Sequence, residues 1–279
     1  MNRDDLVQSC SVCVRHCRLN DGETGFCGAR KNIEGRILSV GYGKLTFMTL
    51  EEIERRPLRM YLPGNKILTV GSFGCDYLCP WCQNHVISRA DEKTARWKYI
   101  SPEQLVRTAL KMKKKGNIGI AYSFNEPLVN WEYVRDAARL ASAKGLKNVL
   151  VTNGSAEIRV LERIIRYFDA MNIDLKCFSE EKYRALGGEL EDVKRFIERA
   201  SDKCHVEVST LIVPGWNDSE EEMEAMSDWL SWISYTIPLH VTRYFPGYQM
   251  NEPPTSEQKI QELAATARKN LQNVFVENC

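Results

Sequence analysis

From Lys66 onward the chain alternates between short apolar runs and longer stretches whose apolar positions recur every three to four residues. The runs read as strands over 66–71, 118–123, 148–152, 170–176, 206–213 and 239–243, with a last one through 274–276. The helical periodicity covers 102–115, 130–144, 157–167, 190–200, 219–231 and 256–270. Strand–helix alternation implies βαβ units with right-handed crossovers and a parallel sheet. Six or seven units fall short of a closed eightfold barrel, so the expectation is an α/β fold, a partial (β/α)6 TIM-like barrel. Ahead of it the pattern is weaker. Short strands are expected at 36–40 and 45–48, with Gly41 and Gly43 at the turn, then a basic connector over 55–59 and a Pro63-Gly64 turn. The division this predicts is a cysteine-rich, metal-binding and short β segment over 1–60 and the barrel over 61–279.

Composition narrows the class. With 279 residues, 43% hydrophobic and 27% charged, the chain fills one large domain with a small appendage. Lys plus Arg (38) balance Asp plus Glu (37), so no overall field argues for nucleic acid. The opening residues 1–6 carry no apolar signal region and no apolar run approaches a membrane span, so a cytoplasmic protein is expected. Ten cysteines in that setting point to metal or redox chemistry and not to a disulfide framework.

Three of those cysteines, Cys75, Cys79 and Cys82, fall within eight residues directly after the 66–71 strand. Three thiolates on one loop can hold three corners of a [4Fe–4S] cube, which ordinarily takes four; a cube held by three keeps one iron open. Structural zinc is the competing reading, but zinc asks for four ligands, and His85 sits too close behind Cys82 for a usual knuckle. A second group, Cys10, Cys13, Cys17 and Cys27, ends in Gly25-Phe26-Cys27-Gly28, with His16 as a spare ligand. Four thiolates satisfy either zinc or a second iron–sulfur cluster, and so short and glycine-rich a segment needs such a staple to be ordered. Cys177 and Cys204 read as core residues and Cys279 as a mobile terminal thiol.

In barrels of this type chemistry collects where the strands end, and the distinctive residues fall there: Asn125-Glu126-Pro127, Thr152-Asn153-Gly154, Asp174-Leu175-Lys176, Pro214-Gly215-Trp216-Asn217 and His240-Val241-Thr242-Arg243. Glu126 can accept from an ammonium, Lys176 can pair with a carboxylate, Asp174 can bind a hydroxyl, and His240 can meet a ribose or adenine. Singly, each is more often a cap, an ion pair or a core residue.

Taken in order, Cys-x3-Cys-x2-Cys with Trp81 before the last cysteine, Cys82-Gln83-Asn84, Asn-Glu-Pro, Val-Thr-Asn-Gly, Asp-Leu-Lys, Val-Pro-Gly-x-Asn-Asp and His-x-x-Arg-x-x-Pro resemble the radical S-adenosylmethionine (SAM) family. Within it they resemble the relatives of pyruvate formate-lyase activating enzyme, nearest to the radical SAM member of the AmmeMemoRadiSam system. The resemblance implies Cys75, Cys79 and Cys82 as catalytic ligands of a [4Fe–4S] cluster whose open iron chelates SAM. It implies Trp81, Asn125, Glu126, Thr152, Asn153, Asp174, Lys176, His240 and Arg243 as cofactor-binding residues. Asn125-Glu126 stand where relatives use Gly-Gly-Glu to receive the SAM amino group. Val151 replaces an acidic residue that serves a monovalent cation site in activating enzymes, which leaves that site open here.

The chemistry implied is reductive cleavage of SAM to a 5′-deoxyadenosyl radical, with reduced flavodoxin or ferredoxin as donor. The substrate is expected to be a protein, such as the backbone glycine of a glycyl radical enzyme. Modification of a small molecule or another protein is the alternative, and a non-catalytic iron–sulfur or zinc interaction protein is the reading from another class.

Overall fold

The computed structural model describes residues 6–278, so Cys279 and the opening residues of the chain lie outside it. Its centre is one eight-stranded sheet. Strand β1 (Phe47–Glu52) pairs antiparallel with β2 (Lys66–Gly71). From there β3 (Asn117–Tyr122), β4 (Lys147–Thr152), β5 (Ala170–Asp174), β6 (His205–Ile212), β7 (Leu239–Arg243) and β8 (Val274–Glu277) follow in chain order, each parallel to the last. The crossovers are helices: α1 (Pro102–Met112), α2 (Trp131–Ser142), α3 (Ile158–Ile164), α4 (Glu180–Leu186), α5 (Leu190–Ser201), α6 (Glu220–Ile233) and α7 (Glu257–Ala267). Serine side chains cap α1, α4, α6 and α7 by accepting from the third backbone N–H of each helix. No pairing joins β8 to β1 or β2, so the sheet is an open partial barrel, as the alternation predicts. Among the described residues no helix is long and apolar enough to cross a membrane.

The period of two sorts the strand residues. Leu150, Met171, Ile173, Val208, Ile212, Leu239 and Val241 face the helices and are fully buried with them. Their alternates turn into the barrel, where Asn172, Glu207 and His240 are wholly buried. The segment between β1 and β2 plugs the barrel from beneath: Ile53 and Leu58 pack against Ile67, Ala121, Val149 and Ala170. Glu207 accepts from the backbone N–H groups of Arg59, Met60 and Tyr61 at 2.9–3.1 Å, and the Arg59 guanidinium meets Glu277 of β8 at 2.8–2.9 Å. Residues 47–61 thus pair and pack with the sheet. The 45–48 run divides: Leu45 belongs to a short strand, Lys44–Leu45, paired antiparallel with Lys98–Tyr99, and residues 47–48 begin the first strand of the large sheet.

Candidate active site

The cysteine loop leaves the end of β2 and is pinned by its backbone. The Ser72 N–H donates to Asn125 Oδ1 at 2.9 Å, and Asn125 Nδ2 donates to the carbonyls of Phe73 and Gly74 at 3.1 and 3.0 Å. Arg89 donates to the Cys75 carbonyl at 3.0 Å. Gly74 holds φ +91°, and a Cβ there would press into the Cys27 carbonyl, so this position needs glycine. Thus held, Cys75, Cys79 and Cys82 all line one cavity of about 280 Å³ at the carboxyl end of the strands. Burial pushes the Cys75 thiol up and Cys79 up to about 11.

The opposite wall carries charge. Glu126 is buried, its Oε1 accepting from the Leu128 N–H and the Thr152 hydroxyl at 2.9 and 2.8 Å, its Oε2 from the Asn153 N–H at 2.8 Å. Burial, and then the neighbouring Asp76, push its carboxyl up to about 8. Lys176 Nζ donates to Asp174 Oδ2 at 2.7 Å. Burial works against the Lys176 ammonium, but Asp174 and then Cys79 hold its pKa above the usual range. The loop after β6 supports this pair, Asn217 donating to the Lys176 carbonyl at 2.9 Å. Trp81 stands edge-to-face with Trp216, centroids 5.3 Å apart.

Ten of the twelve residues expected at the SAM site therefore line this one cavity: the three cysteines, Trp81, Asn125, Glu126, Thr152, Asn153, Asp174 and Lys176. Two do not. His240 is fully buried below it, Nε2 bonded to Glu207 at 2.7 Å and Nδ1 to Glu277 at 3.0 Å, so neither ring nitrogen is left for a ligand. Arg243 turns outward to the Thr255 carbonyl and Glu257. The reason for both is position along β7: its interior residues come in layers, and Thr242 is the one that reaches the cavity. His85, set aside as a zinc ligand, stacks on Tyr248 with ring centroids 4.4 Å apart.

The sequence reading missed Asp76, which accepts from Asn153 Nδ2 at 2.9 Å and from the Ser155 hydroxyl. It also missed Ser209 and Leu211 on the far wall. An acidic residue inside an otherwise apolar cysteine loop was the available signal for the first. The two-residue period carried on from Asp174 to its partner strand was the signal for the others.

Comparison with known proteins agrees with this geometry. Residues 69–230 match the Radical SAM superfamily. The chain is 31% identical over 279 residues to an uncharacterized protein of Methanocaldococcus jannaschii, MJ0808, covering 99% of this chain and 82% of that one. It is 26% identical over 176 residues to pyruvate formate-lyase 1-activating enzyme of Escherichia coli K12, covering 60% of this chain and 68% of that one. Among solved structures, a radical SAM methyltransferase from Sphaerobacter thermophilus superposes with a TM-score of 0.59 at 15% identity, over 78% of this chain and 67% of that one.

Proposed function

Because the chain belongs to the radical SAM superfamily, and so uses a [4Fe–4S] cluster and SAM, we propose that it is an activase-like enzyme whose substrate is a protein. When bound, the cluster and SAM supply a 5′-deoxyadenosyl radical that removes a hydrogen atom from the substrate. The donor set fits them: Cys75, Cys79 and Cys82 are free thiols that line the one cavity, and a cube takes thiolate ligands.

The chain's own groups do the positioning. Asn125 fixes the loop backbone that presents the cysteines, while Thr152 and the Asn153 N–H orient the Glu126 carboxylate toward the amino end of SAM. Lys176, aligned by Asp174, faces the carboxylate or hydroxyl groups. Burial of Trp81 and Tyr77 beside the cysteines limits water at the reacting centre. The observation that carries the reading is the convergence of three unpaired thiols, a buried carboxylate and a lysine–aspartate pair on one cavity. Similarity to a pyruvate formate-lyase activating enzyme supports a protein substrate, and low-potential chemistry of this kind calls for reduced flavodoxin or ferredoxin as donor.

Anaerobically reconstituted protein given SAM and dithionite should yield 5′-deoxyadenosine; no nucleoside from a fully iron-loaded preparation would overturn the reading. Transfer of deuterium from a backbone-labelled protein into that nucleoside identifies the substrate class, and transfer only from small molecules would point to the other radical SAM activities. Lys176→Ala should weaken SAM binding by about 1.5–3 kcal/mol, the worth of a charge-assisted contact. Titration calorimetry giving unchanged affinity would make Lys176 structural.

A further inference from the structure

The residue after the first loop cysteine is a buried acid, Asp76, only 1% exposed. Its Oδ1 accepts from Asn153 Nδ2 at 2.9 Å and stands 3.9 Å from Cys75 Sγ, while its Oδ2 accepts from the Ser155 hydroxyl. Amide, thiol and hydroxyl are all neutral donors. The neighbouring Arg15 guanidinium is engaged with the main chain, donating to the carbonyls of Asp76 and Leu186. Behind the loop Asp76 also lines the small cavity that the free thiols Cys10, Cys13, Cys17 and Cys27 surround. Burying a carboxylate among neutral partners costs stability, so its place beside a cluster ligand calls for a reason beyond packing.

The charge around the loop is uneven. Beside Cys79 stands the Lys176 ammonium, which works against the effect of burial on that thiol. Beside Cys75 stand Asp76 and then Glu126, and both add to the effect of burial. The Arg89 guanidinium on this side donates to the Cys75 carbonyl. As a ligand Cys75 is a thiolate, and the carboxylate next to it is then a second anion in a buried setting, where charges act strongly on one another. An electron entering the cluster adds one more negative charge, and a fixed anion beside it makes that addition harder. Net charge is one of the levers that set the potential of such clusters.

We propose that Asp76 holds down the reduction potential of the cluster carried by Cys75, Cys79 and Cys82. A lower potential makes the one-electron-reduced state a stronger donor, which is what reductive cleavage of a sulfonium asks of it. The proposal rests on the family's cluster and is independent of whether the substrate is a protein.

A redox titration followed by electron paramagnetic resonance, on anaerobically reconstituted protein without SAM or substrate, tests it. Asp76→Asn keeps the shape of the side chain and one oxygen for Asn153, and removes the charge. At a fixed applied potential its ratio of reduced to oxidised cluster should rise about tenfold, a shift of about 59 mV for one electron. Ser155→Ala removes a hydrogen bond but keeps the charge, and its ratio should match that of the unsubstituted protein. An unchanged or lower ratio in Asp76→Asn would overturn the proposal, as would a rise of the same size in Ser155→Ala. Where Asp76→Asn takes up no iron, Asp76→Ser gives the same comparison with a smaller neutral side chain. Loss of iron from both neutral variants, with Ser155→Ala fully loaded, would mean that the carboxylate only holds the loop, and would equally refute the proposal. No SAM is cleaved in these measurements, so a failure of the activase reading leaves them interpretable.

Discussion

Cys79→Ala should give a folded protein that forms no detectable 5′-deoxyadenosine from SAM and dithionite. The loop's course is set by groups the substitution leaves in place: the Leu78 N–H donating to the Leu186 carbonyl at 3.0 Å, and the Asn125 amide spanning Phe73 and Gly74. What the substitution removes is one of three thiolates, and a cube already one protein ligand short of the usual four then has two. Circular dichroism and gel filtration should match the unsubstituted protein while the nucleoside disappears. Cleavage that persists in this variant would mean that the cluster is held elsewhere.

Glu207→Ala should lower stability by about 3–5 kcal/mol, the cost of stripping one partner from a buried charged network. The carboxylate accepts from three backbone N–H groups of the plugging segment, from His205 at 2.8 Å and from His240 at 2.7 Å. Burial opposes its charge, but the hydrogen bonds from His205 and His240 hold its pKa at about 2, and Glu277, similarly buried and bonded to His240 and Arg59, is also at about 2. Burial likewise opposes charge on His240, yet the two carboxylates raise it above its ordinary 6.5.

The signs then define a window. The depressed carboxylates contribute stability above their ordinary 4.5, and it is lost as pH falls toward about 2. The raised imidazole contributes fully below 6.5 and loses its share as pH rises through its higher folded value. Urea unfolding should therefore show this network strongest between 4.5 and 6.5, with a decline on the alkaline side that Glu207→Ala removes. An alanine variant within about 1 kcal/mol of the unsubstituted protein would show that the network is dispensable.

The barrel was legible because its strands are buried on both faces and read as apolar runs, and because serine caps and turn glycines punctuate them. The bounds of β2 and β7 match their expected runs, and β3 to β6 differ by one or two residues. Strand β1 was truncated at Met48, since Glu51 and Glu52 at its end break the apolar run, although Glu51 pairs with Arg56 in the structure. Helix α4 is only seven residues and follows the Asp-Leu-Lys motif at once, leaving no period to detect. The cavity lining was legible where a residue follows its strand, as Glu126, Asn153 and Lys176 do. It failed for His240, whose motif was visible but whose depth in the barrel was not. That depth is set by the stagger between β6 and β7, which pairs Ser209 with His240 and lays the histidine beside Glu207.

The bridge from Arg59 to Glu277 joins residues 218 positions apart. During synthesis the thiols at positions 10 to 82 leave the ribosome long before strand β8 exists to meet its partner. Contacts this distant in sequence form late. The cysteine loop is therefore made well before the contact that fastens the barrel can form.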